Sequence, residues 1–203
     1  MKKIAIIDYG AGNLHSVRKA FAYLGAEADI LLEAPSVVNF DSLVLPGVGN
    51  FGPGMEELEK RGFHPFLREW LNAGRPFLGI CLGMQFLFEK SEECPGEAGL
   101  GFLEGEIRRF NDPSLRVPQI GWNAVFPKEK DNPLFRDIEE GSYFYFVHSY
   151  YCVPKNGSAI GSTTTYGLEY CSSLWHGNAF AVQFHPEKSQ EKGLIMLRNF
   201  LNI

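Results

Sequence analysis

Along the first hundred residues, short and continuously apolar runs alternate with longer stretches of helical period, the pattern of strands covered on both faces and joined by helices. The run 4–7 predicts one such strand, followed by a turn at Gly10, Ala11, Gly12 and Asn13, with Asn13 able to cap the next element. Leu14, Val17, Phe21 and Leu24 recur at steps of three and four, one buried helical stripe that stops at Gly25. Further strands are expected at 30–32 and 43–45, a glycine-rich loop at 47–54, and helical periods at 55–58 and 66–71. The apolar run 77–80 reads as a strand leading into Cys81 and then a helix over 83–88. After about residue 100 helices drop out. Strands are expected at 105–110, 122–125, 143–147, 159–165, 172–175 and 179–184, largely antiparallel, and a last helix at 189–201.

No linker, repeat or low-complexity segment separates the two textures, and 203 residues suit a single domain at roughly 100–200 residues each. The expected fold is therefore one α/β domain over 1–203: a mixed, mainly parallel sheet flanked by helices, with an added antiparallel portion. Charge narrows the partners. With 19 basic against 24 acidic residues and no basic run longer than Arg108-Arg109, neither nucleic acid nor an anionic membrane surface is expected. The four cysteines are widely spaced without a C-x-x-C pair, which suits a reducing cytoplasm. Lys2 and Lys3 precede too short an apolar run for a signal peptide, and the apolar stretch 77–88 is too short to span a membrane.

The strongest chemical signal is Gly79-Ile80-Cys81-Leu82-Gly83, a G-x-C-x-G where a strand meets a helix. It has the layout of a nucleophile elbow with sulfur in place of oxygen, the glycines removing Cβ clashes from a sharp turn. A helix N-terminus beyond Cys81 favours a thiolate. Taken alone, the motif is read equally well as a buried structural cysteine between packing glycines. A thiolate needs a base. Of five histidines, His185 follows the strand-like 179–184 run and stands in His185-Pro186-Glu187, where a period of two puts imidazole and carboxylate on one side of an extended segment. Nucleophile, base and orienter then meet at the carboxyl edge of the sheet, where open α/β sheets place their sites. The loop Pro46-Gly47-Val48-Gly49 also follows a strand, and a backbone N–H from Val48 or Gly49, with that of Leu82, can form an oxyanion hole. Nucleotide binding is disfavoured: there is no G-K-[ST], and His15 stands where G-x-G-x-x-G needs its third glycine.

With these residues assembled, the whole chain resembles the class I (triad-type) glutamine amidotransferases, and among them most of all the glutaminase subunits of imidazole glycerol phosphate synthase. Four segments carry the likeness: Ile7-Asp8-Tyr9-Gly10-Ala11-Gly12-Asn13-Leu14, Leu45-Pro46-Gly47-Val48-Gly49, Gln119-Ile120-Gly121-Trp122-Asn123 and Phe146-Val147-His148-Ser149-Tyr150. The second discriminates, since related glutaminases typically carry P-G-G or P-G-P there. The resemblance implies a glutaminase that releases ammonia through a thioester on Cys81, with His185 moving protons and Glu187 fixing the ring. It implies that Gly49, Gln85, His148, Ser149 and Tyr150 hold the glutamine, although His148 reads equally as a packing histidine. It further implies a heterodimer with a separate cyclase subunit of (β/α)8 barrel fold, which takes the ammonia into histidine biosynthesis. Asn13, Trp122, Tyr145 and Lys188 are the interface candidates, against core packing for the aromatics and a solvated charge for Lys188. Neither metal nor organic cofactor is expected. Other glutaminase subunits, such as those of pyridoxal phosphate or anthranilate synthesis, would keep the triad; a thiol redox protein would need neither His185 nor Gln85, and a catalytically dead partner would not need the triad.

Overall fold

The computed structural model describes residues 2–10 and 12–203. In chain order, β1 (Lys3–Ile7), α1 (Leu14–Tyr23), β2 (Glu27–Leu31), β3 (Ser42–Gly47), α2 (Phe51–Lys60), α3 (Phe63–Asn72), β4 (Phe77–Cys81) and the single turn α4 (Leu82–Gln85) make the first part. Then come β5 (Lys90–Ser91), β6 (Gly105–Arg109), β7 (Gln119–Pro127), β8 (Ser142–His148), β9 (Tyr150–Pro154), β10 (Ile160–Tyr166), β11 (Leu168–His176), β12 (Ala179–Val182) and α5 (Gln190–Leu201). They build one 12-stranded sheet whose main path runs β2-β1-β3-β4-β12-β11-β10-β7-β8. From β2 to β12 neighbours are parallel; from β12 through β11 to β8 they are antiparallel. The β6–β9 ribbon joins β11 where Cys152 faces Cys171, and β5 lies parallel to β6.

Alternation along the parallel strands feeds two cores. Ile4, Ile6, Val44, Leu78, Ile80 and Val182 pack beneath α1 and α5, against Val17, Phe21, Leu197 and Phe200. Ala5, Ile7, Leu43, Leu45 and Ala181 face the other way, onto Met55, Leu58, Leu67 and Trp70 of α2 and α3. Burial on both faces is why these strands read as unbroken apolar runs. Each buried Leu, Ile, Val or Phe contributes about 1.5–3 kcal/mol, so the parallel half is a firm base for the loops at its carboxyl edge.

Several elements differ from the sequence reading. The predicted turn at 10–13 includes Ala11, outside the described residues; Asn13 stands at the N-cap of α1 with φ 79 but makes no capping hydrogen bond. The 47–54 loop is shorter than expected because α2 begins at Phe51, with Pro53 in a first turn that has no N–H bond to lose. The 83–88 helix ends after one turn: Leu87 and Phe88 bond back three residues to Met84 and Gln85. Phe86, Leu87 and Phe88 are all buried, which leaves no polar face on which a longer helix could meet water. β2 starts at Glu27, before the expected 30–32, because as an edge strand it alternates exposed and half-buried residues. β12 stops at Val182 rather than 184, and β9 lies in a stretch where no strand was expected.

Candidate active site

Cys81 ends β4 with φ 55 and ψ −107, outside the regions ordinary for a side-chain-bearing residue. Such a conformation costs about 1–3 kcal/mol and persists only where its surroundings enforce it. The flanking glycines do so by close packing, not by unusual φ of their own. A Cβ on Gly79 would stand 2.7 Å from the Gly83 carbonyl oxygen, and one on Gly83 would run into the carbonyl of Leu45. The elbow is pressed against its neighbours, and the strained residue is the cysteine itself. Cys152 and Cys171 differ: both are buried, and burial raises their thiols well above the ordinary range, as expected of inert core cysteines.

His185 follows β12, and its N–H donates to the Tyr145 carbonyl of β8 at 2.9 Å. Ser189 fixes the same junction, its hydroxyl donating to the His185 carbonyl at 2.6 Å and accepting the Tyr145 N–H at 3.0 Å. The extended segment expected to align His185 with Glu187 is instead a 3-10 turn, Pro186–Lys188, into which Pro186 with its fixed φ fits at the first position. Within that turn His185 Nδ1 lies 2.7 Å from Glu187 Oε1, with side chains 1% and 0% exposed. The Asn13 amide donates to the same carboxylate oxygen. Asn13, one of the interface candidates, is half-buried, and its side-chain amide is engaged by this carboxylate. His185 Nε2 is buried without a hydrogen-bond partner. Burial pulls the imidazole down, but the negative charge of Cys81 and its bond with Glu187 outweigh that and push it up to about 10.

A cavity of about 220 Å³ opens on Cys81, lined by Gly49, Asn50, Leu82, Gln85, Glu93, Pro118, Val147, His148, Ser149 and Tyr150. A larger concavity of about 700 Å³ over residues 130–139 lacks any of the residues the sequence singled out, so the smaller one is where nucleophile and polar groups converge. Of the expected loop residues, Gly49 lines the cavity at Cys81 whereas Val48 lines a second one of about 180 Å³ behind it. Gln85 is 4% exposed and donates to Gln183 Oε1 at 3.0 Å and toward the Tyr150 carbonyl at 3.4 Å. His148 has both ring nitrogens engaged, Nδ1 with the Tyr150 carbonyl at 2.7 Å and Nε2 with the Tyr170 hydroxyl at 3.2 Å. Burial lowers it to about 4, so it is a neutral wall of the cavity.

Two side chains here escaped the sequence reading. Gln183, fully buried, donates to Cys81 Sγ at 3.6 Å; its signal was a lone polar residue inside the apolar 179–184 run. Glu93 lines the cavity and accepts the Phe51 N–H at 2.8 Å, capping α2 from a distance; in sequence nothing separates it from the neighbouring solvated carboxylates. Among the described residues, no three His, Cys, Asp or Glu side chains are grouped to hold a metal ion. Nor is any helix there long and apolar enough to cross a membrane.

The remaining candidates lie on the outer face of the β7–β8 hairpin. Ile120, Trp122, Phe126 and Tyr143 are exposed there, Trp122 meets the half-buried Tyr145 edge-on at 6.1 Å between centroids, and Lys188 Nζ stands 5.9 Å over the Tyr145 ring.

Residues 5–203 match the family model described as glutamine amidotransferase class-I. The imidazole glycerol phosphate synthase subunit HisH of Chlorobaculum tepidum is 49% identical over 198 residues, 97% of this chain and 98% of its own. The subunit of the same name from Pyrococcus furiosus is 48% identical over 201 residues, 98% of each. Among solved structures, PurLQS from Thermotoga maritima aligns over 100% of this chain and 99% of its own, with TM-score 0.78 and 17% identity. A crystal structure of a glutamine amidotransferase covers 98% of this chain and 97% of its own, with TM-score 0.76 and 17% identity. At such identities these structures speak for the fold.

Proposed function

The chain belongs to the class I glutamine amidotransferase family and, within it, to the family of HisH subunits of imidazole glycerol phosphate synthase, and from that premise we propose that it hydrolyses glutamine and delivers the ammonia to a cyclase subunit. We read 1–203 as one such domain. The observation that carries the reading is the strained Cys81 at the mouth of a 220 Å³ cavity, beside an imidazole held 2.7 Å from a buried carboxylate.

In acylation, Cys81 gives its proton to His185 and its sulfur attacks the side-chain carbonyl carbon of glutamine. The oxyanion forms against the N–H of Leu82 and that of Val48 or Gly49. The C–N bond then breaks, and His185 passes its proton to the departing ammonia. This leaves a γ-glutamyl thioester and a neutral imidazole. With the sulfur acylated, the charge that raised His185 is gone, so the ring becomes a base suited to taking a proton from water. Hydroxide adds to the thioester, the C–S bond breaks, and glutamate leaves with Cys81 and His185 restored. Glu187 holds the ring throughout, and Gln183 supports the sulfur. Gln85, His148, Ser149 and Tyr150 wall the glutamine site, and the Glu93 carboxylate faces it as the counter-charge for the α-ammonium group.

The β7–β8 face, with the exposed Trp122, the half-buried Tyr145 and Lys188, is the dock for a barrel-fold cyclase in a heterodimer; aromatic residues are enriched in interface cores, and Trp122, Phe126 and Tyr143 are exposed here. Four free cysteines suit a reducing compartment, and we assign the enzyme to the cytoplasm. The test is glutamate release from glutamine by the chain alone and with a cyclase subunit carrying its ribulosyl-phosphate ligand. The expected result is a rate that rises with the liganded partner and vanishes in Cys81→Ala; activity retained in that variant would overturn the reading.

A further inference from the structure

Tyr9 follows β1 and is buried at 3% exposure, yet its hydroxyl has no hydrogen-bond partner. An orphaned phenol is costly, about 1–3 kcal/mol by comparison with one that is paired. Its ring meets Phe86 edge-on at 5.5 Å, and its hydroxyl stands against Gly47, at the spot a Cβ there would occupy. Gly47 closes β3 and begins the stretch assigned above to the oxyanion hole.

That stretch is a partition. Gly49 and Asn50 line both the cavity at Cys81 and the 180 Å³ cavity behind it, whereas Tyr9 and Val48 line only the second. Gly49 has φ +105 and nothing within 4 Å of where its side chain would be, so the loop has open space at that end, whereas Gly47 is hemmed in by the Tyr9 hydroxyl and Leu82. A trans peptide is planar, with N–H and C=O pointing in opposite directions. Whenever the Val48 N–H is turned toward Cys81, the carbonyl of Gly47 is turned the opposite way, and the Tyr9 hydroxyl is the unpaired donor that already stands against Gly47. Burial, with the charges of Cys81 and Asp8 added, holds that phenol far above its ordinary range, so it remains a donor.

We propose that the Tyr9 hydroxyl captures the Gly47 carbonyl when the Gly47–Val48 peptide presents its N–H to Cys81, making Tyr9 a positioning residue for the oxyanion hole. This rests on the glutaminase reading. It explains why a buried hydroxyl is kept where phenylalanine would fill the same space: the partner it lacks is supplied by the second orientation of one peptide.

The experiment compares wild type with Tyr9→Phe, each with the liganded cyclase subunit, for kcat and KM of glutamine hydrolysis. It also follows the alkylation of Cys81 by iodoacetamide, a displacement at carbon that develops no oxyanion. Tyr9→Phe is expected to lower kcat about tenfold, corresponding to roughly 1.4 kcal/mol, with KM within twofold and alkylation at the wild-type rate. Its melting temperature should equal or exceed that of wild type, since an unpaired polar group has been removed. Unchanged kcat in Tyr9→Phe beside an active wild type overturns the Tyr9 role alone, as does a parallel fall in turnover and alkylation, which marks general damage to the site. A wild type that releases no glutamate in any mixture overturns the glutaminase reading and the Tyr9 role with it.

Discussion

Replacing Glu187 by glutamine keeps the shape of the site while removing the charge that orients His185. The bond at stake joins Nδ1 to Oε1 at 2.7 Å between side chains 1% and 0% exposed, so solvent neither screens it nor replaces it. A hydrogen bond to a buried ion contributes about 1.5–3 kcal/mol, which alone is roughly a 10- to 150-fold change in rate. Two structural details add to that. The amide puts an NH2 group where Oε2 now stands buried without a partner, and turning it to avoid this would offer His185 a donor and force the opposite tautomer. In a serine protease triad the equivalent loss of the orienting charge costs about 10⁴-fold. We therefore expect kcat for glutamine hydrolysis in Glu187→Gln to fall about 10³-fold, with KM changed little because Glu187 does not line the cavity. The assay is glutamate release with the liganded partner, alongside circular dichroism to show that the variant is folded. A folded Glu187→Gln within threefold of wild type would refute the orienting role.

Other outcomes follow from the same geometry. Gly83→Ala, whose methyl would overlap the Leu45 carbonyl, should fail to yield soluble folded protein, whereas Gly49→Ala, strained only by its φ of +105, should fold with a loss of about 1–2 kcal/mol in urea titration. His148 is lowered from 6.5 to about 4 by burial, so the stability it holds is complete above pH 6.5 and is lost as pH falls toward 4, on the order of 3 kcal/mol. Denaturant midpoints across that window should show a shallower decline for His148→Phe than for wild type; equal slopes would exclude the assignment. On the outer face of β7–β8, Trp122→Ala should weaken binding to the cyclase subunit at least tenfold by calorimetry, as removal of a central aromatic does, without altering the melting temperature of the free chain.

What could be read from the sequence depended on whether a residue's environment leaves a local trace. Strands buried on both faces must be apolar throughout, so 4–7, 43–45 and 77–80 announced themselves; β2, an edge strand with Glu27 and Asp29, had no such constraint and was recognised only in its last residues. Cys81 was found through its glycines, although their role proved to be contact, Gly83 on Leu45, rather than turning freedom. The His185–Glu187 pair was identified for a geometry it does not have, since a two-residue spacing brings side chains together in a 3-10 turn as well as along a strand. Asn13, Gln183 and Tyr9 act through residues 174, 102 and 38 positions away or more, and no local pattern encodes such contacts.

The fold offers two routes by which a docked partner can change turnover, and they predict different chemistry at the cysteine. β8 carries Tyr145 with its ring beside Trp122 and Lys188 on the outer face, while its backbone carbonyl holds the N–H of His185 and its N–H is held by Ser189. Val147 and His148, farther along the same strand, wall the cavity. A shift of β8 therefore moves the imidazole, and with it the reactivity of the sulfur toward any electrophile. In the proposed mechanism the 47–49 loop, in contrast, acts on the chemical step through an N–H presented to a developing oxyanion. If activation runs through β8, the liganded partner accelerates both glutamine hydrolysis and alkylation of Cys81 by iodoacetamide. If it runs through the loop, hydrolysis rises and alkylation does not. The placement of Tyr9 favours the second: its unpaired buried donor lies against Gly47, whereas the Tyr145, His185 and Ser189 groups that tie β8 to the imidazole segment already bond one another. Alkylation rates equal with and without the liganded partner, beside a large difference in glutamate release, are the expected result; a parallel rise in both would assign the switch to β8 instead.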